Sequence, residues 1–428
     1  MVEILYGKGT LKCPGEPQAV LALQSGPKAE KQNGSRLVTE AMRQPYGGKQ
    51  LRELAVGKNR ATVIISDHTR PVPSKDILPE MLRQLREGNP DIEVTLLVAT
   101  GCHRGTTPEE LADKLGTEIA SREKILVHDA FDLNANMDLG ILPSGAPLVI
   151  DRAAVETDLL VAEGFIEPHF FAGFSGGRKS VMPGVCGAVT VYGNHCGSFI
   201  ADPHARTGVL RDNPIQRDMV VAAKMAKLAY IVNVVIDDNK NTIAAFAGDP
   251  FLAHEAGVEF VERLCGVAAV PADIVVTSNG GTPLDQTLYQ CVKGLTAAEA
   301  TAKPGAVLII CAEAADGIGG DSFYRAMRDC ESPGALYEQY CATPQGETIP
   351  DQWQTQILAR ILMKHRVIFV TRKELSQTVR DMKMEYAETL DAALSMARQT
   401  AGEAGTLTVI PNGISVIVHA KCTKVGTE

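Results

Sequence analysis

The chain has 428 residues, 45% hydrophobic and 22% charged, with a formal net charge of −9. That length allows two or three domains with real cores, and the ordinary globular composition excludes disordered, collagen-like and coiled-coil chains. The acidic balance argues against nucleic acid or an anionic membrane surface as the main partner, while leaving room for a local basic pocket.

The opening MVEILYGKGTLKCPG has no charged region followed by an apolar stretch, so no secretory signal is expected. The first strand is expected over 61–67 (ATVIISD), followed by a helix over 73–88. A strand over 91–101 precedes a helix over 107–116. Thr107 is its expected N-cap, Pro108 its first residue and Glu110 completes a capping box. Strands follow at 124–129, 158–166 and 230–238, then a helix over 250–266. After Val270-Pro271 a second series begins. It has strands at 273–280, 306–313, 366–371 and 406–413, and helices over 284–302, 321–330, 351–364 and near 383–398.

This alternation predicts an α/β fold of two domains with mainly parallel sheets flanked by helices. The expected division is 1–268, 269–412 and a tail, 413–428, that could return to the first domain. No apolar run is long enough to span a bilayer. The ten cysteines are scattered without a CxxC pair, so a cytoplasmic protein with reduced thiols is expected.

Open parallel sheets bind ligands at the carboxyl ends of their strands. In this chain those loops read Ser66-Asp67-His68-Thr69-Arg70-Pro71, Gly101-Cys102-His103-Arg104-Gly105, Glu167-Pro168-His169 and Ser278-Asn279-Gly280-Gly281. Histidines with Asp and Arg beside them on such loops point to a site. In EPHFFAGFSGGRKSVMPG (167–184), four glycines permit tight turns and close backbone approach. Arg178 and Lys179 add charge that suits an anionic group, and Lys179 is a candidate covalent amine. The spacing is not that of a P-loop. His195 precedes Cys196, but no HxH, HExxH or CxxC pattern closes a metal site, so other metal ligands would come from afar or from a cofactor. Tyr289, Gln290 and Lys293 share a predicted helix, where spacings of three and four put Lys293 on one face with each of the others. An amide and a cation there could hold a carboxylate, although a solvated face gives the same pattern. Asp316–Asp321 reads as a turn.

Taken together, DHTRP (67–71), GCHRGTTPEE (101–110), EPHFFAGFSGGRKSVMPG (167–184), NH (194–195) and LDQTLYQCVKG (284–294) resemble the nickel-dependent lactate racemase family. The motifs come in family order over most of the chain. The resemblance implies a racemase of a 2-hydroxy acid, lactate first, with its site in a cleft between the two domains. It implies nickel held in a pyridinium-3,5-bisthiocarboxylic acid mononucleotide that is attached to Lys179 and exchanges hydride with the substrate. His195 would be the protein ligand to nickel. Asp67, His68, Thr69, Arg70 and Pro183 would contact the nucleotide. His103 and His169 would be the paired acid/base groups, and Gln290 and Lys293 would hold the substrate with Arg70 and Tyr289 nearby. Maturation proteins would supply the cofactor. Malate, a longer or aromatic hydroxy acid, or a sugar acid stay open as substrates. A non-catalytic cofactor carrier and a zinc hydrolase built on His103, His169 and His195 are the competing readings.

Overall fold

The computed structural model describes residues 1–23, 33–237 and 239–419. The chain groups into two compact units. One comprises Ser25–His195 and Val209–Val261; the other comprises Met1–Gln24, Cys196–Gly208 and Glu262–Glu428.

The unit built on Ser25–His195 holds a six-stranded sheet. Its order is Thr242–Gly248, Leu228–Ile236, Leu159–Phe165, Arg60–Ser66, Glu93–Ala99, Lys124–Val127. All neighbours are parallel except the pair Leu228–Ile236 and Thr242–Gly248. The central strands are runs of β-branched and aliphatic residues because both faces are covered. Val63, Ile65, Leu96, Val98 and Val161 are buried in one core with Ile77, Leu78, Met81, Leu82 and Leu85 of the helix Ser74–Gly88. The helix Pro108–Leu115 starts as its sequence indicates. Thr107 accepts from Glu110 N, and the Glu110 side chain accepts from Thr107 N.

The other unit has a wholly parallel sheet, ordered Glu385–Ala387, Arg366–Val370, Ala302–Cys311, Ala272–Ser278, Leu407–Ile410, Ala19–Val20. Ile274, Val276, Val307, Ile309, Ile368 and Val409 fill its core. The architecture is therefore α/β, with parallel strands flanked by helices in both units.

Several elements differ from the sequence expectation. Sequence patterning groups residues 1–268 together, but Ala19–Val20 pairs with Thr408–Val409 and so groups with the second sheet. In the tail, Ile417–His419 pairs with Gly266–Ala268 inside the unit that holds Glu262 onward; residues 420–428 lie outside the described residues. The helix expected near 383–398 is a short strand, Glu385–Ala387, followed by the helix Leu390–Ala401, whose N-cap Thr389 accepts from Ala392 N. The antiparallel strand Thr242–Gly248 and the hairpin Asn136–Ile141/Pro147–Asp151 carry no strong apolar alternation and escape sequence reading. Among the described residues no two cysteines form a disulfide, and Cys422 lies outside them. Among the described residues no helix is long and apolar enough to cross a membrane.

Candidate active site

Leu159–Phe165, Arg60–Ser66 and Glu93–Ala99 are adjacent parallel strands. Their following loops therefore leave the same edge of the sheet, which gathers His169, residues 67–70 and His103. The loops are also joined to the glycine-rich segment, since Gly101 N donates to Gly184 O at 2.9 Å. Pro183 follows a cis peptide bond in that segment.

Asp67 is 1% exposed, and its Oδ2 lies 2.7 Å from His103 Nδ1. Its Oδ1 accepts from Thr69 Oγ1 at 2.8 Å and Thr69 N at 3.2 Å. Burial works to raise the Asp67 carboxyl, but the hydrogen bonds from His103 and Thr69 and the His103 and Arg70 charges outweigh it and hold Asp67 below its ordinary value. An ionised carboxylate only accepts, so His103 Nδ1 carries a proton, and in the neutral ring Nε2 presents a lone pair. His103 itself is exposed. His68 faces Thr106 Oγ1 at 3.2 Å and Glu110 at 3.8 Å, and Arg70 is exposed with its carbonyl accepting from Lys114 Nζ at 3.0 Å.

His169 is held differently. Its Nδ1 accepts from Ala172 N at 3.3 Å, so in the neutral ring the proton sits on Nε2. Its ring meets Phe171 edge-on at 4.6 Å. Phe171 also meets His195 edge-on at 5.0 Å, and Lys179 Nζ lies 5.9 Å from the same ring. One phenyl ring thus gathers His169, Lys179 and His195. His195 follows the helix Ala188–Asn194 and is 5% exposed. Burial and the Lys179 charge push it down to about 3, so its imidazole is neutral. Neutral imidazole is the form that binds a transition metal. No group of three or more His, Cys, Asp or Glu residues able to hold a metal comes together among the described residues.

The turn that delivers Lys179 depends on glycine. Gly176 and Gly177 have φ of 76° and 54°, and a Cβ on either would lie within 2.8 Å of Asn233 or His254. Arg178 corrects the sequence expectation of a charge offered to an anion: its guanidinium turns inward onto backbone carbonyls. Asp67's partnership with His103, the central place of Phe171 and the Arg178 contacts were not read from the sequence. The only available signal was the pair Phe170-Phe171 beside His169.

Tyr289, Gln290 and Lys293 belong to the other unit, on the helix Leu288–Thr301. Thr287 caps this helix by accepting from Gln290 N, and the Asp316–Asp321 turn adds carbonyl acceptors from Gly317 and Ile318. Tyr289 is committed, donating its hydroxyl to Asp351 Oδ1 at 2.9 Å and packing edge-on against Phe323 at 5.3 Å. Burial and the Asp351 charge raise its phenol well above its ordinary value. Gln290 and Lys293 are half-buried.

A family model for the lactate racemase N-terminal domain matches residues 6–208, and one for the lactate racemase C-terminal domain matches residues 267–418. The lactate racemase of Thermoanaerobacterium thermosaccharolyticum is 49% identical over 424 residues, covering 98% of this chain and 99% of that protein. The lactate racemase of Lactiplantibacillus plantarum is 47% identical over 420 residues, covering 97% and 99%. The lactate racemase apoprotein structure from T. thermosaccharolyticum superposes with a TM-score of 0.95 at 48% identity, covering 98% of this chain and 99% of that one. A crystal structure of a Thermotoga maritima protein, at 18% identity and a TM-score of 0.63, shares the fold. With matches of this identity and coverage, the chain belongs to the lactate racemase family.

Proposed function

We propose that this protein is a cytoplasmic racemase that interconverts the enantiomers of lactate using a nickel-pincer nucleotide tethered to Lys179. The observation that carries the reading is the grouping of Lys179, His169 and His195 around the Phe171 ring. Two relatives named lactate racemase, identical at nearly half of their positions over almost their whole length, support lactate as the substrate.

The residues present fit the cofactor. His195 offers one buried, neutral nitrogen, as a single protein ligand to nickel must. Lys179 supplies the amine for attachment, and Asp67, His68, Thr69, Arg70 and Pro183 would contact the nucleotide. When bound, the nickel-pincer nucleotide supplies a reversible hydride acceptor, so no carbanion has to form on the substrate.

The chain's own groups handle the proton and the carboxylate. His103 Nε2 accepts the substrate hydroxyl proton, and Asp67 stabilises the imidazolium that results. His169 donates Nε2–H to the substrate oxygen. For the opposite enantiomer its ring leaves the Ala172 amide and presents a lone pair. Gln290 and Lys293, with Arg70, hold the carboxylate by charge-assisted hydrogen bonds. Tyr289, fixed to Asp351, supports that helix face. Maturation proteins load the cofactor.

The Asp67–His103 pair favours catalysis over a carrier role, because a carrier needs only Lys179 and His195. A chiral assay of cofactor-loaded protein on lactate, malate, an aromatic hydroxy acid and a sugar acid tests the reading. Racemisation fastest on lactate is expected. Inert lactate with turnover of a larger acid overturns the substrate, and inertness on all four overturns catalysis.

A further inference from the structure

Arg178 is 2% exposed. Burial pulls its guanidinium down to about 9, which leaves it charged at neutral pH. Buried charges are normally paired with an opposite charge. Among the described residues, none of the hydrogen-bond partners of Arg178 is a carboxylate. Nη2 donates to Ala172 O at 3.0 Å, and Nη1 to Gly176 O at 3.1 Å and Ser175 O at 3.4 Å. Nε donates to Gln216 Oε1, and Nη1 lies 3.0 Å from His254 Nε2. His254 Nε2 also lies 2.9 Å from Ser175 O, so this nitrogen either accepts from the guanidinium or donates to that carbonyl, not both. Burial and the Arg178 charge push His254 down to about 3 and keep it neutral. The charge is therefore stabilised by three carbonyl dipoles and an amide, with the His254 ring packed against them, converging on a planar fork that lysine could not replace.

The carbonyls it gathers belong to the turn that delivers two site residues. Gly176 O, held by Arg178, also accepts from Lys179 N at 3.1 Å. Ala172, held through its carbonyl, donates its N–H to His169 Nδ1. We infer that Arg178 is a positioning residue for both Lys179 and His169, setting the first through Gly176 and the second through Ala172, with His254 and Gln216 holding the guanidinium in place. The inference rests on the reading of Lys179 and His169 as site residues.

The test uses cofactor-free, full-length protein labelled with ¹⁵N-histidine, as wild type and as Arg178→Lys, His254→Leu and His254→Gln. Amide hydrogen exchange reports the turn, and the His169 ring nitrogens report its tautomer. In Arg178→Lys and His254→Leu, amides of residues 172–179 are expected to exchange at least tenfold faster, while the strands Arg60–Ser66 and Leu159–Phe165 keep wild-type rates. The His169 signals should lose the Nε2–H pattern. His254→Gln offers both an acceptor for the guanidinium and a donor for Ser175 O, and should restore both. Unchanged turn amides and an unchanged His169 ring overturn the inference, as does equal acceleration of every amide in all three variants. If Arg178→Lys does not fold, the two His254 variants decide alone. Wild-type protein that never acquires a Lys179 adduct would sink the functional reading instead, and the exchange result would still stand.

Discussion

Asp67 Oδ2 and His103 Nδ1, 36 residues apart in sequence, lie 2.7 Å apart at the ends of two neighbouring parallel strands. The carboxylate fixes which nitrogen of His103 carries the proton, and in the proposed mechanism it offsets the charge the ring acquires as a base. Asp67→Asn keeps the shape and loses both effects. A fall in kcat of roughly a hundredfold or more is expected, the scale of a general-base contribution. The fall in kcat/KM must be equal for both enantiomers, because symmetry fixes their equilibrium. Polarimetric rates from each pure enantiomer check this; wild-type kcat in Asp67→Asn would remove His103 from the proton transfer.

The loop carrying Asp67 is clamped at both ends by Glu163. Its Oε1 accepts from Ser74 Oγ at 2.7 Å and Ser66 N at 3.3 Å, and its Oε2 has no hydrogen-bond partner among the described residues. Complete burial raises this carboxyl despite the nearby Lys114 charge. Glutamine is its neutral isostere. Glu163→Gln is expected within about 1 kcal/mol of wild type in urea unfolding, whereas Glu163→Leu strands two donors and costs about 1–3 kcal/mol. Equal losses in the two variants would contradict the clamp.

Lys293 is expected to act on binding. Hydrogen bonds to charged groups are worth about 1.5–3 kcal/mol, so Lys293→Ala should raise KM by roughly ten- to a hundredfold, with a smaller change in kcat. Initial-rate kinetics decide; an unchanged KM would leave the carboxylate to other residues.

His254 gives a pH prediction. Its folded value is about 3, against an ordinary value near 6.5 when unfolded. The unfolded chain therefore binds the extra proton between those limits. The contribution is fully present above about pH 6.5 and is lost as pH falls toward 3, by up to about 1.4 kcal/mol per unit. His254→Gln cannot titrate, so its unfolding free energy should decline less steeply from pH 6.5 to 4.5. Parallel curves for variant and wild type would contradict the burial of a neutral ring.

Much of the fold was legible in the sequence because its signals are local. Runs such as TVIIS and VLIIC mark strands covered on both faces, and Thr107, Pro108 and Glu110 mark a helix start within four residues. What escaped depends on distant partners. Ala19–Val20 is a strand only because Thr408–Val409 lies beside it. The site behaved likewise. His103, His169, Lys179 and His195 stood out by residue type and motif, but Arg178 read as a charge offered to an anion because nothing local shows that carbonyls and His254 fold around it.

The proposed chemistry depends on Lys179 carrying a nickel-binding cofactor. The most direct measurement is intact mass with peptide mapping, together with nickel analysis, on protein from a host proven to load a known lactate racemase. The expected result is an adduct on the Lys179 peptide with nickel in proportion, retention of the adduct but loss of nickel in His195→Ala, and no adduct in Lys179→Ala. An unmodified Lys179 in wild-type protein from that host would contradict it.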